Sequence, residues 1–225
     1  MKILAISKIE QVRQEIITQI LCGTLQPGQR LYEAQLSNEL GVSQATVNAA
    51  LQDLHNQGLV RKVLNRSTNV IKYSWEDVKN LFSVRLVLEP AASEALANAW
   101  SGEAEACLLE YVERLRRAAQ TTDVAKWCIA DYQFHQEIYR LSGNHFLIQA
   151  GQAIAAAPFA YILCGHVRAL ATDYSAMAEE HMDMIAAIRE GPETAGRVTR
   201  ARVLEWFRHS EMVLQSAANG GPVAA

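Results

Sequence analysis

The stretch from Gly23 to Val60 constrains the fold most, because it has the pattern of two short helices joined by a tight turn. Leu36 and Leu40 give the first helix an apolar stripe, and Gly41 follows at its C-terminal end, where a left-handed conformation costs least. Ser43 then carries the short oxygen side chain that caps a helix N-terminus. The pattern predicts a helix-turn-helix, the geometry that lays a second helix in the DNA major groove.

The second of these helices has one apolar face and one polar face. Val47, Leu51 and Leu54 recur at helical spacing, and Gly58 ends the helix. The outward positions carry mostly small or amide side chains, and the amides can hydrogen-bond to a base edge: Gln44, Ala45, Asn48 and Gln52. An ordinary helical hairpin would have the same apolar pattern, so this segment alone leaves DNA binding open.

The flanking segments complete a small domain. An amphipathic helix precedes the pair, with apolar residues at a 3.6-residue period until Gly23. Leu59–Val63 and Thr68–Tyr73 are two β-prone runs, with Asn65-Arg66-Ser67 between them as a hairpin tip. Three helices and a two-stranded ribbon make a winged helix-turn-helix, which we predict for residues 1–73.

Residues 74–225 show helical periodicity and no strand pattern. The spacing from Ser74 to Asp77 is that of a capping box. Pro90 lacks an N–H and is expected to kink or restart the helix that follows. Further helical segments are predicted at about 102–119, 123–141, 146–170, 173–190 and 193–216. The fold class is therefore mainly α, an N-terminal winged helix-turn-helix followed by an all-α bundle of six or seven helices.

Charge and cysteine usage agree with a two-part chain. The net charge is −3, yet the first 73 residues carry eight basic and five acidic side chains, so the acidic excess lies in the remainder. The cysteines Cys22, Cys107, Cys128 and Cys164 lack short paired spacing, which predicts unpaired apolar residues in a reducing compartment. The longest apolar run, 153–164, is too short for a membrane span. We expect a cytoplasmic protein without a membrane anchor.

Three side chains in the helical part are spaced as a candidate metal site. Asp131 and His135 lie four residues apart on one helix face, which directs both towards one place. His181 lies on the same helix face as the apolar residues Met177, Met184, Ile185 and Ile188, so it points into the bundle. A buried Asp–His hydrogen bond without metal satisfies the same pattern, so both interpretations stay open.

Taken in order, the motifs cover most of the chain. They are Pro27-Gly28-x2-Leu31-x-Glu33-x2-Leu36, Leu40-Gly41-Val42-Ser43, Arg85-x3-Glu89, Asp131-x2-Phe134-His135, Ser142-Gly143-Asn144 and Glu180-His181. This order resembles a transcription regulator of the GntR family, in the FadR-type branch with a helical FCD domain. The resemblance implies a homodimer that binds a palindromic operator and a small organic acid, and it implies no enzymatic activity.

The resemblance places DNA contacts on the second helix of the helix-turn-helix and on the wing. Where the family usually has Ser-Arg-Thr-Pro-Val-Arg, this chain has Ser43-Gln44-Ala45-Thr46-Val47-Asn48. Both arginines are amides here, and amides pair best with adenine, so we expect adenine in place of guanine and a shallower salt dependence. The candidate DNA-binding residues are Arg30, Ser43, Gln44, Thr46, Asn48, Arg61, Lys62 and Arg66.

The resemblance also implies a divalent metal, because members of the family bind one through an aspartate and three histidines. Asp131, His135 and His181 match three of these ligands, and zinc or nickel would suit them. Alignment puts Val203 at the fourth position, and its side chain cannot coordinate a metal. His166 is a candidate stand-in, whereas His209 lies on the wrong side of its helix. A pocket that needs no metal stays open.

An arginine at the position of Arg85 lies near the effector pocket in the resembling family, where it can clamp a carboxylate. A surface arginine is the alternative. Further candidate effector-binding residues are Tyr132, Asn144, Tyr161 and Arg168.

Two other functions compete with a regulator. A helical metalloenzyme would use Asp131 and the histidines on a bound water, but no clear general base accompanies them. A helical interaction or metal-binding protein with weakened specific DNA recognition is the second alternative, which Gln44 and Asn48 leave open.

Overall fold

The computed structural model describes residues 7–63, 67–152 and 173–218 of the chain. It divides into two compact units, Met1–Lys72 and Tyr73–Ala225. The first unit is a small helical domain with a short sheet, and the second is helical throughout its described residues. A winged helix-turn-helix followed by an all-α domain, as predicted, is the observed fold.

The first unit contains a three-stranded sheet beside three helices. Its elements are α1 (Lys8–Leu21), β1 (Arg30–Leu31), α2 (Glu33–Leu40), α3 (Gln44–Asn56), β2 (Val60–Val63) and β3 (Ser67–Val70). The strands are antiparallel in the order β1-β3-β2. The hairpin of β2 and β3 is the predicted wing. The strand β1 was not predicted, because two residues are too few to show a strand period.

The turn between α2 and α3 follows from two residues. Gly41 adopts φ 63°, a left-handed conformation that ends α2. The Ser43 hydroxyl accepts a hydrogen bond from the Thr46 backbone N–H at 3.1 Å and so caps α3. Ile16 of α1 and Leu51 of α3 are fully buried, which fixes the two helices against each other.

The second unit is a bundle of long helices. Its elements are α4 (Trp75–Asn98), α5 (Gly102–Gln120), α6 (Val124–Leu141), α7 (described over 145–152), α8 (Tyr174–Glu190) and α9 (Pro192–Ala218). Leu96, Leu108, Phe134 and Ile188 form part of its core and are fully buried. Burial of each such side chain stabilises the fold by about 1.5–3 kcal/mol.

Helix α4 excludes one of the two outcomes predicted for Pro90. It runs as a single helix through Pro90 and does not restart there. Pro90 is itself buried against the bundle, so tertiary packing outweighs the hydrogen bond that a proline cannot donate. At the start of α4, Ser74 and Asp77 form the capping box that their spacing predicts.

The cysteines correct a second prediction. Cys22 and Cys107 are free thiols, whereas Cys128 is disulfide-bonded. The sequence pattern could not reveal this bond, because Cys128 has no other cysteine at a short, characteristic spacing. Within the described residues, no helix combines the length and the apolar character needed to cross a bilayer.

Candidate DNA-binding surface and ligand cavity

The first turn of α3 presents the candidate base contacts. Gln44 is exposed at the start of the helix, and its neighbour Ala45 is exposed too. The hydroxyls of Ser43 and Thr46 lie 2.8 Å apart, so the cap itself holds Thr46 in place. This turn therefore presents one amide and two hydroxyls as candidate hydrogen-bonding groups for a DNA groove.

Asn48, one turn further along α3, already has two partners. Its Nδ2 donates to Glu33 Oε1 at 2.7 Å, and its Oδ1 accepts from Lys62 Nζ at 3.4 Å. Lys62 Nζ also lies 4.0 Å from Glu33 Oε1. The sequence did not reveal this cluster, because its members come from α2, α3 and β2.

Two of the candidate phosphate contacts share a row of the sheet. Arg30 on β1 and Arg61 on β2 are both paired with Asn69 of β3 in register. Residues directly opposite each other in a sheet project from the same face. Arg30 and Arg61 thus lie on one face, either side of Asn69, and both are exposed. Arg66 lies outside the described residues.

The helical unit brings the three candidate metal ligands together. Asp131, His135 and His181 each offer one ligand atom, and these atoms all lie within 4.8 Å of one another. Asp131 and His181 are 3% and 6% exposed. His181 Nε2 lies 3.0 Å from Asp131 Oδ1, and Asp131 Oδ2 has no hydrogen-bond partner within the described part of the chain.

The second ring nitrogen of His181 decides its tautomer. His181 Nδ1 lies 3.1 Å from the Met177 backbone carbonyl, which can only accept a hydrogen bond. Nδ1 therefore carries a proton, and Nε2 either donates to Asp131 Oδ1, in the protonated ring, or coordinates an ion placed between the two groups, in the neutral ring. Metal-binding histidines are held in this way, with one nitrogen on a backbone carbonyl and the other free to coordinate.

Burial lowers the pKa of His135, and the carboxylates of Asp131 and Glu89 only partly oppose this effect. A lowered pKa favours the neutral imidazole, which is the form that coordinates a metal. His135 Nδ1 lies 3.7 Å from Glu89 Oε2.

Arg85 is buried rather than on the surface, with 3% of its area exposed. Its Nε donates to Glu89 Oε1 at 2.5 Å, and its guanidinium lies 4.8 Å from the centre of the Phe82 ring. The other Glu89 oxygen, Oε2, is buried and finds no hydrogen-bond partner among the described residues. Burying an arginine beside a carboxylate with an unsatisfied oxygen costs desolvation free energy, which a bound ligand would offset.

These groups line one small cavity between the helices. It is lined by Arg85, Glu89, Asp131, His135, Glu180, His181, Met184, Thr199, Arg202, Val203 and Trp206. Its volume is about 20 Å³, enough for one water molecule or ion, so a larger ligand would require the side chains of the wall to move apart. Val203 forms part of the wall and is 2% exposed, so the expected fourth-ligand position does face this cavity.

Comparison with known proteins identifies both units. Residues 8–70 match the family of bacterial regulatory proteins called gntR, and residues 80–204 match the FCD domain. The FCD match alone spans more than half of the chain. The chain belongs to the GntR family of transcription regulators and carries an FCD domain. The predicted family is thereby confirmed, and so is the prediction that the chain is no enzyme.

Relatives of this GntR-family chain have corresponding names. A probable D-xylose utilization operon transcriptional repressor of Paenarthrobacter nicotinovorans is 26% identical over 216 residues, covering 96% of this chain and 92% of that protein. The uncharacterized regulator YdhC of Bacillus subtilis strain 168 is 25% identical over 138 residues, covering 61% of this chain and 62% of that protein.

Solved structures show the same fold. Escherichia coli McbR/YncC superposes with a TM-score of 0.75 at 20% identity, covering 95% of this chain and all of that one. A putative GntR regulator from Rhodococcus sp. RHA1 gives 0.72 at 20% identity, covering 93% and 98%.

Three further candidate residues that the structure describes in the FCD domain do not line the cavity. Tyr132 is half-buried on α6 and is not among the cavity residues. Asn144 caps α7, because its side-chain oxygen accepts from the backbone N–H groups of Phe146 and Leu147. His209 packs on Trp206 and does not line the cavity. Tyr161, His166 and Arg168 lie outside the described residues.

Sequence reasoning gave no site role to several residues of the cavity wall, among them Glu180, Arg202 and Trp206. Arg202 Nη1 lies 3.3 Å from Glu180 Oε2 across α8 and α9. Burial raises the pKa of Glu180, and the charge of Arg202 opposes this. Glu180 precedes His181 in a motif that the sequence analysis did quote, which is the signal that could have identified it.

Proposed function

We propose that this GntR-family regulator binds operator DNA through the first turn of α3 and the wing, and that a divalent metal and a small organic acid in the FCD cavity control this binding. One observation carries the proposal. Asp131 and Glu89 each have a buried carboxylate oxygen without a hydrogen-bond partner in the described residues, beside two histidines and a buried arginine.

The donor set fits a zinc or nickel ion. Two imidazoles and one carboxylate are ligands that both metals accept. The Nδ1 proton of His181 is used on the Met177 carbonyl, which leaves Nε2 for a metal. Asp131, His135 and His181 would hold the ion, and it would supply a positive charge able to hold an acidic ligand. Val203 adds no ligand, so solvent or the acid would complete the shell.

The charges of the cavity support binding of the metal ion first and of the organic acid second. Among the most deeply buried charged residues described in the cavity, Arg85 is positive and Asp131 and Glu89 are negative. This surplus of one negative charge favours a cation. A divalent ion would turn the surplus into one positive charge, which favours a carboxylate. Arg85 is the residue that could clamp it in a bidentate manner.

DNA binding would follow the departures of α3 from the family pattern. Gln44 would contact adenine in the major groove, with Ser43 and Thr46 at its side and Arg30, Arg61 and Lys62 near phosphates. A homodimer would bind a palindromic operator with half-sites about one helical turn apart. Val84 and Val87 support a self-association surface, since they expose apolar side chains on one face of α4.

A thermal-shift screen tests the ligand part of the proposal. The full chain is melted with a set of small organic acids, with and without zinc or nickel. We expect one class of acid to raise Tm only when metal is present. The variant H135A should lose this response and bound metal together, measured by elemental analysis. Unchanged metal content in H135A would contradict the metal site and favour a structural Asp131–His181 pair.

A further inference from the structure

Asn48 is the base-contact candidate whose amide is engaged within the protein. Nδ2 donates to Glu33 Oε1 at 2.7 Å, and Oδ1 accepts from Lys62 Nζ at 3.4 Å. Glu33 and Lys62 are themselves an ion pair at 4.0 Å, so the three side chains close a ring. Glu33 and Lys62 are 33% and 21% exposed, which leaves the ring at the surface.

The 4.0 Å distance between Glu33 and Lys62 shows which edge of the amide they occupy. Partners on opposite sides of an amide would stand much further apart, so both approach the same edge, where Nδ2 and Oδ1 lie side by side. An asparagine pairs with adenine through this edge, because the amide must donate to N7 and accept from the N6 amino group together. The ion pair therefore stands where an adenine would bind.

The small number of donors on an amide explains why the edge of Asn48 is fully used. A guanidinium has five N–H donors, so it can satisfy a carboxylate and still contact a base. An amide has only two N–H donors, and in Asn48 one of them is given to Glu33. The carboxylate that an arginine could share is therefore a competitor of the base for Asn48.

We propose that Glu33 determines DNA specificity without contacting DNA, by holding the base-pairing edge of Asn48 together with Lys62. Glu33 is thus a positioning residue, and Asn48 adds no adenine preference while the ring is closed. Gln44 lies outside the ring and remains available for base contact. This inference rests on the proposed binding of DNA by α3.

Selection from a pool of randomised duplexes tests the inference with the full chain. The proteins are the wild type, E33A, E33Q, the double variant E33A/N48A and the control E39A. Glu39 is an exposed carboxylate on the same helix, and its partner is Gln35 rather than Asn48. We expect E33A to gain about tenfold preference for adenine at one position of each half-site. E33Q should gain less, because it keeps an acceptor oxygen while losing the charge.

The double variant and the control distinguish the inference from a general charge effect. E33A/N48A should lose the new adenine preference, and E39A should select the same sequences as the wild type. An adenine preference in E33A that persists in E33A/N48A would contradict the inference, and so would an E33A profile identical to the wild type. Absence of any enrichment by the wild type would overturn DNA binding itself, and the inference with it.

Discussion

The polar side chains of the two units differ in burial, and this difference decides how much each set reveals about its binding partner. On α3, Gln44 and Asn48 are exposed, so water satisfies whatever the protein does not. In the FCD cavity, Asp131 and Glu89 are buried and each has an oxygen without a hydrogen bond in the described residues. Such an atom costs about 1–3 kcal/mol. Buried polar groups therefore point to a ligand, whereas exposed amides leave the identity of the partner open.

The largest expected effect concerns the buried carboxylate. D131N removes the negative charge among the candidate ligands, and we expect it to weaken zinc or nickel binding on the order of 100-fold. Isothermal titration calorimetry with each metal measures this change. D183N is the matched control, since Asp183 is exposed on α8 and pairs with Arg202 outside the ligand set. If D131N and the wild type bound metal with equal affinity, the buried Asp131 carboxylate would not be a metal ligand.

On the surface of α3 we expect a smaller effect. Q44A removes the amide that would contact adenine, and it should weaken binding of the selected operator about tenfold. Fluorescence anisotropy with a labelled duplex measures the affinity. Q52A is the control, because Gln52 is also an exposed glutamine of α3 but hydrogen-bonds to Asn56. Similar losses in both variants would argue against a specific contact by Gln44.

A gain of similar size is expected at the cavity wall. V203H places an imidazole where the resemblance to the family implies a fourth ligand, and we expect metal affinity to rise about tenfold. Val203 is buried, so the thermal melting point without metal must be recorded beside the titration. A folded V203H chain that binds metal no more tightly than the wild type would show that this wall does not face the ion.

The smallest expected effect comes from a helix cap that belongs to neither site. Asp123 accepts a hydrogen bond from the Lys126 backbone at 3.0 Å, so D123A should cost about 1 kcal/mol in urea unfolding at neutral pH. Hydrogen bonds from the Lys126 side chain and backbone lower the pKa of Asp123 from the usual value of an aspartate. The unfolded state therefore binds the proton first, and the cap loses its effect as the pH falls below that value.

D53A serves as the control for the cap, because Asp53 is exposed inside α3 and caps no N-terminus. If D123A were as stable as D53A at neutral pH, the cap would contribute nothing. If the difference between D123A and the wild type persisted under acid conditions, its source would not be the Asp123 carboxylate.

Local signals in the sequence were enough for most of the fold. Gly41 and Ser43 mark the turn of the helix-turn-helix because their conformations depend on neighbouring residues alone. Asp131 and His135 share a helix face by spacing, and their convergence with His181 followed from the direction of its apolar neighbours.

Long-range packing accounts for what the sequence did not reveal. The burial of Arg85 depends on the helices around α4, and the contact between Asn48 and Lys62 joins a helix to a strand. Pro90 and Cys128 also depend on tertiary contacts. Packing outweighs the helix penalty of Pro90, and the fold brings a bonding partner to Cys128. Periodicity describes one element at a time and cannot predict such contacts.

The most direct test of the account measures DNA affinity with and without the cavity ligands. The full chain is titrated into its selected operator, alone and with saturating metal and the acid found by the thermal-shift screen. Coupling between two sites usually changes affinity about 5–150-fold, and we expect a change in this range for the wild type and none for D131N. An operator affinity of the wild type that stays the same with and without both ligands would contradict the account.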